Sequence, residues 1–221
     1  MVMLSGSLGA PAPMLPPSAS GPWFLARANL EVLLEVLRED GRTIIGPKIE
    51  DGAIVYDEVR TVADLPAGWG DIQEPGHYRL ARRADQRLFD FNVGPTSWKR
   101  NTYPPVVTLN TGRREGHDVT FVRHEPDAPK LVFFGVRACE LAALGIQDRV
   151  FLGGPYTDDD YAARRAASIV VAVNCATAGA TCFCTSMGTG PEVRGGHDIV
   201  MTELDEGFVL RAGSPVGSEF V

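Results

Sequence analysis

Two short runs in the second half of the chain are apolar almost from end to end: "KLVFFGV", beginning at Lys130, and "IVVAVNC", beginning at Ile169. Continuous apolar runs of this length, rich in β-branched and aromatic residues, suit strands buried on both faces of a parallel sheet. Between them, "CELAALGIQDRVFL" has helical spacing at Leu141, Leu144 and Val150 or Phe151, and "DDDYAARRAAS" reads as a second helix. The acidic run Asp158 to Asp160 falls at the start of that second helix, where the helix dipole favours negative charge, and this reading outweighs a carboxylate metal site. A crossover of this length between two apolar strands implies parallel pairing in one sheet.

The first half is patterned differently. In "PWFLARANLEVLLEVLREDG", Leu25, Asn29, Val32, Leu33, Val36 and Leu37 recur at three and four residues. They predict a helix with one apolar face, ended by a left-handed cap at Gly41. Two β-rich runs flanking "EDG" in "TIIGPKIEDGAIVYDEV" predict a hairpin. Residues 64 to 105 are punctuated by Gly, Pro and aromatics and read as loop-rich, with short strands at "HYRLAR" and "RLFDFN". A lone aromatic or histidine there, such as Trp98 or His77, reads as packing rather than chemistry. "VVTLN" and "DVTFVRH" predict two further strands, and "HDIVMTELDEGFVLRAGS" two more joined by "DEG". The expected fold class is α/β, a mixed sheet with a parallel strand–helix–strand core in the C-terminal half and a loop-rich α+β N-terminal part. The expected organisation is a flexible leader over 1–22, an α+β region over 23–125 and a cysteine-bearing α/β region over 126–221.

Composition narrows the function classes. With 44% hydrophobic and 22% charged residues the chain has ordinary globular usage. A net charge of −7, with its Arg pairs scattered, argues against a nucleic-acid groove. No run approaches the roughly 18 apolar residues of a membrane span. The Pro-broken N-terminus lacks the basic region of a signal peptide, so the expected compartment is the reducing cytoplasm.

That compartment matters for the thiols. The chain has four cysteines: Cys139, Cys175, Cys182 and Cys184. Cys139 follows the C-terminal end of the first apolar strand and Cys175 that of the second. Open α/β sheets bind ligands beyond those ends. Neighbouring strands would therefore bring the two thiols together, with Cys182 and Cys184 arriving from the loop "NCATAGATCFCTSMGTGP". A disulfide reading needs an oxidising compartment, and Cys182 and Cys184 are too close in sequence to pair readily. Buried free cysteines would explain one isolated thiol, not three within ten residues. Four thiolates suit either zinc or an iron–sulfur cluster. The spacing lacks the C-x2-C knuckles usual for zinc, a cluster tolerates distributed ligands, and Gly179, Gly188 and Gly190 permit close backbone approach. Cys139 at a helix start is expected to have a lowered pKa. Arg137 beside it is read in two ways, as an offset to a cluster's negative charge or as a surface ion pair with Glu140. His117, His124 and His197 have no assignable partner.

At the residues "GVRACELAALGIQDRVFLGG", "IVVAVNC" and "TCFCTSMGTGP", with "GAIVYDEV", "DLPAGW", "PGHYRL" and "GPTSWKR" upstream, the chain resembles the beta subunits of cytoplasmic sulfhydrogenases and the A subunits of anaerobic sulfite reductases. The resemblance covers about residues 25 to 215. It implies an iron–sulfur electron-transfer subunit of a multi-subunit oxidoreductase, of hydrogenase or sulfite reductase type, with one 4Fe-4S cluster on Cys139, Cys175, Cys182 and Cys184. Such a chain is a component rather than a stand-alone catalyst, and no catalytic residue is assigned to it. Its implied partners are the other subunits of a redox complex, including a ferredoxin-like or flavin subunit. A looser similarity to the beta subunits of deazaflavin-reducing hydrogenases leaves room for a flavin, for which no residue here speaks. The family pattern has Pro and Asp around its first cysteine, where this chain has Ala138 and Glu140, and Gly where this chain has Ala180. Members of the family continue into a ferredoxin-like domain with C-x2-C-x2-C-x3-C-P runs, which this sequence lacks up to Val221; another subunit is expected to continue the relay. The rival reading is a structural four-cysteine zinc protein or a non-redox assembly module.

Overall fold

In the computed structural model, which describes residues 21–221, the two apolar runs are neighbouring parallel strands, β8 (Leu131–Val136) and β9 (Ile169–Val173). Every residue of both is buried. They lie inside a seven-stranded sheet of order β1-β11-β10-β9-β8-β2-β3. The other members are β1 (Trp23–Ala26), β2 (Thr43–Glu50), β3 (Ala53–Glu58), β10 (Ile199–Glu203) and β11 (Gly207–Ala212). Strands β10, β9, β8 and β2 run parallel, and the flanking pairs are antiparallel. The sheet is mixed and the fold class is α/β, as the patterning predicts. Strands from both halves of the chain build this sheet. Most of the expected leader, residues 1–20, lies outside the described residues.

Two short hairpins stand apart from the sheet: β4 (Trp69–Glu74) with β5 (His77–Arg82), and β6 (Asn110–Glu115) with β7 (Asp118–Arg123). The helices are α1 (Leu30–Leu37), α2 (Lys99–Thr102), α3 (Ala138–Leu152), α4 (Asp159–Ala167) and α5 (Pro215–Ser218).

Helix cover on both faces explains the unbroken apolar strands. On one face Leu30, Leu34 and Leu37 of α1 pack with Val132, Phe134, Val171 and Val173; on the other, Leu141 and Leu144 of α3 pack with Phe133, Val170 and Ala172. The β2–β3 hairpin turns on Asp51 and Gly52, both at positive φ, as a two-residue turn between twisted strands requires. In α4, Asp158 caps the N-terminus by accepting from the Tyr161 N–H at 2.9 Å, and Asp159 and Asp160 occupy the first turn. The acidic run therefore serves the helix.

Three expectations change. The first helix begins at Leu30, because Trp23–Ala26 is taken as an edge strand by β11, and its buried face is Leu30, Leu33, Leu34 and Leu37, leaving Val32 exposed. "RLFDFN" is not a strand, and "VVTLN" contributes only Asn110 to one.

One irregularity sets up the site. Gly135 in β8 has φ of 92°, and the pairing with β9 slips there between Phe134 and Val136. A Cβ at Gly135 would lie 2.8 Å from the Phe89 ring. The slip moves Val136 to the same face as Phe133, where strict alternation would place it with Phe134. Arg137 follows at once.

Candidate metal centre at the strand ends

Beyond the C-terminal ends of β8 and β9 the chain folds into a cavity of about 540 Å³. Cys139, Cys182 and Cys184 line it, together with Asn92, Trp98, Glu140 and apolar residues of α3 and the loop, among them Phe183 and Met187. Cys175 does not line this cavity. It lies close enough to Cys139 that a thiolate there would disfavour a second one at Cys139, and the same holds for Cys184. All four cysteines are free thiols.

The positions have local causes. Cys139 sits in the first turn of α3, which starts as soon as β8 ends. Cys175 follows Asn174, whose side chain closes the base of the long loop: its amide donates to Thr202 Oγ1 at 2.9 Å and its carbonyl accepts from the Val193 N–H at 2.8 Å. The Cys175 N–H donates to the Pro191 carbonyl across the same base. Tight turns shape the tip. The Cys182 N–H donates to the Gly179 carbonyl, and the Met187 and Thr189 N–H groups donate to the Cys184 carbonyl. Cys182 Sγ in turn accepts from the Gly179 N–H at 3.3 Å. Gly190 lies beneath this turn, where a Cβ would come within 3.1 Å of Cys184 Sγ and 3.3 Å of the Ala138 side chain. Of the three glycines expected to allow close approach, Gly190 does so against a thiol, Gly179 against Asn92, and Gly188 faces open space.

The electrostatics differ from the sequence expectation at Cys139. Its thiol is not acidified by the helix start but pushed up to about 11. Burial is the main cause, followed by the Glu140 carboxylate and the neighbouring Cys175 and Cys184; the Arg137 charge opposes them. Burial also raises the Glu140 carboxyl, against the pull of the Arg137 N–H. That N–H donates to Glu140 Oε2 at 2.9 Å and fixes the first turn of α3. Tyr56 Oη, Trp98 Nε1 and Glu140 Oε1 face one another in this wall without reaching hydrogen-bonding geometry.

Arg137 is not on the surface, and the expected surface ion pair with Glu140 does not form. The residue is 1% exposed. Its guanidinium donates through Nη1 to Cys175 Sγ at 3.5 Å and through Nη2 to the carbonyls of Phe91, at 2.9 Å, and Phe89. It lies over the Phe91 ring at 4.7 Å. None of these bonds runs to a carboxylate.

These carbonyls belong to a strap, residues 88–92, that crosses the strand ends. The buried Glu203 carboxylate accepts from the Leu88 and Phe89 N–H groups at 2.8 and 2.9 Å. Glu203 thus takes the strap's donors and Arg137 its acceptors, which is why "RLFDFN" bends across the strand ends and joins no sheet. The strap ends at Asn92, whose Oδ1 stands 3.6 Å from Cys182 Sγ and whose amide nitrogen reaches the Asp71 carboxylate. No periodicity or motif marks Asn92 or Glu203, and sequence reasoning passes over both. Trp98 packs, as expected, stacked on Tyr56 with centroids 4.0 Å apart, but it also walls the cavity.

The donor set suits a thiophilic metal group: sulfur only, amide donors close by, and a buried positive charge on one side. Among the described residues, no three Cys, His, Asp or Glu side chains converge closely enough to hold a single metal ion.

The chain is similar to Sulfhydrogenase 2 subunit beta from Pyrococcus furiosus, with 39% identity over 92 residues. That segment is 42% of this chain and 27% of the relative, so the chain matches only about a quarter of the relative's length. No family model matches the chain. No solved structure matches it. Among the described residues no helix is long and apolar enough to cross a membrane.

Proposed function

We propose that the chain is an iron–sulfur electron-transfer subunit of a multi-subunit oxidoreductase of hydrogenase type, with one 4Fe-4S cluster held by Cys139, Cys175, Cys182 and Cys184. The observation that carries this reading is the gathering of thiols from two parallel strand ends and one loop beside a buried guanidinium that donates to sulfur. The relative's name, a sulfhydrogenase subunit, supports a redox complex and therefore partner subunits.

A zinc ion draws its thiolates to within about 2.3 Å of one point. The C-x2-C knuckles usual for zinc are missing among these four thiols, and a cluster tolerates such distributed ligands. When bound, such a group supplies one-electron chemistry at a potential set by charge, hydrogen bonds and burial. The chain's own residues do the rest. The four thiols bind. The Gly179 N–H donates to one of them, Cys182. Phe183 and Met187 line the cavity wall. Substrate chemistry resides in the partners. A ferredoxin-like or flavin subunit is the chemical class of partner that continues such a relay.

The test is anaerobic reconstitution of the full chain with iron and sulfide, followed by visible absorbance and metal analysis. About four irons and four sulfides per chain with a sulfide-to-iron absorption band are expected. Stoichiometric zinc with no sulfide-dependent band would replace this reading with the structural zinc protein.

A further inference from the structure

Arginine cannot shed its charge in a protein, so a buried guanidinium needs negative charge or strong acceptors around it. Arg137 finds two backbone carbonyls, an aromatic face and a sulfur, and its Nε has no partner at all. Other arginines of the molecule meet carboxylates: Arg27 reaches Glu203, Arg83 reaches Asp90 and Arg165 reaches Asp148. The least exposed side chain with a permanent charge is thus left without a carboxylate, and the group it does touch is a thiol of the candidate centre.

We propose that Arg137 is the fixed positive pole of the thiol site, a positioning residue that stabilises negative charge on Cys175 and on any anionic group the thiols hold. Its geometry is imposed from outside the site. The strap carbonyls of Phe89 and Phe91 hold Nη2, which leaves Nη1 aimed at Cys175. Glu203 holds the strap from its other edge. A thiolate or metal–thiolate at Cys175 therefore meets a charge that is already in place and needs no reorganisation. The role at Cys175 stands without any metal. Its consequence for a reduction potential rests on the cluster reading above.

The experiment compares two alkylating agents on the full chain, reduced and free of metal. Anionic iodoacetate and neutral iodoacetamide are applied at one pH, and modification is read at each cysteine by peptide mass spectrometry. The ratio of the two rates cancels the reactivity of the thiol itself and reports the local field. In the wild type, the iodoacetate preference at Cys175 is expected to exceed that at Cys182. Arg137→Gln should lower it at Cys175 on the order of tenfold, with Cys182 unchanged. Arg137→Lys, which keeps the charge, should retain most of it. Equal ratios at Cys175 and Cys182 in the wild type would overturn the proposal even if Arg137→Gln fails to fold. Glu203→Gln, which loosens the strap that aims the guanidinium but leaves its charge, should lower the preference at Cys175 less than Arg137→Gln does.

The second arm uses reconstituted protein. Removing the positive pole disfavours the reduced, more negative state. A tenfold loss corresponds to a shift of about 59 mV to lower potential for one electron. If the wild type takes up no cluster, the proposed function fails, while the alkylation ratios still decide the role of Arg137.

Discussion

Strands β8 and β9 and the loop that runs on from β9 are opposite in character. The strands are buried at every residue and packed on both faces. The loop between Cys175 and Pro191 has no regular structure, and Cys182, Phe183 and Met187 in it are exposed. It is tied at its base by Asn174 and at its tip by turns and by Thr181, which reaches Gln73 at 3.2 Å. A region with few buried contacts has little stability of its own. The strands thus carry the stability and the loop carries the chemistry. The loop's final geometry is coupled to whatever its thiols bind, since ligand binding and local ordering are one free energy.

Substitutions should separate the two regions. The largest effect on stability belongs to the strands. Phe134→Ala removes a fully buried ring that meets Phe89 edge-on, and urea unfolding should show a loss of about 3–5 kcal/mol. A loss below about 1 kcal/mol would break the comparison.

The strap joins the two regions and should give an intermediate result. Glu203→Gln withdraws charge from two strap amides and from Arg27, for an expected loss of about 1–3 kcal/mol. Faster hydrogen exchange at Leu88 and Phe89 should accompany it.

A smaller effect follows from His197, which lies outside the thiol site before β10. Burial lowers its pKa below the ordinary 6.5. The folded chain prefers the neutral ring, so this contribution is complete above about pH 6.5 and is lost as pH falls from that value through the lower pKa of the folded state. Glu140 works in the opposite sense. Its carboxyl is raised, so its contribution weakens as pH rises from the ordinary carboxylate value of 4.5. The stability of the wild type relative to His197→Gln, measured by urea unfolding from pH 7.5 to 5, isolates the histidine and should fall as pH falls.

The smallest stability change belongs to the loop. Cys182→Ser should alter metal-free stability by less than about 0.5 kcal/mol, as a surface substitution does, yet abolish the reconstituted chromophore. A variant that keeps full iron and sulfide would remove Cys182 from the ligand set.

The elements legible in the sequence are those governed by neighbours along the chain. The Asp51-Gly52 turn, the cap at Asp158 and the spacing of Leu141 and Leu144 each depend on a few consecutive residues. The unbroken apolar runs of β8 and β9 record burial on both faces, which is why their parallel pairing was foreseeable. The misread segments answer to distant partners. Trp23–Ala26 becomes a strand because β11 offers an edge, and "RLFDFN" is claimed by Glu203 and Arg137, both far along the chain.

The same division holds at the site. By itself the sequence determined which thiols were available and which strand ends would present them, because residue type and crossover length are local properties. Only the tertiary structure decided that Arg137 is buried against Cys175, that Asn92 stands at Cys182 and that burial pushes Cys139 up rather than down. Charge, burial and hydrogen bonding at a thiol depend on everything packed around it, and that surrounding is assembled from segments tens of residues apart.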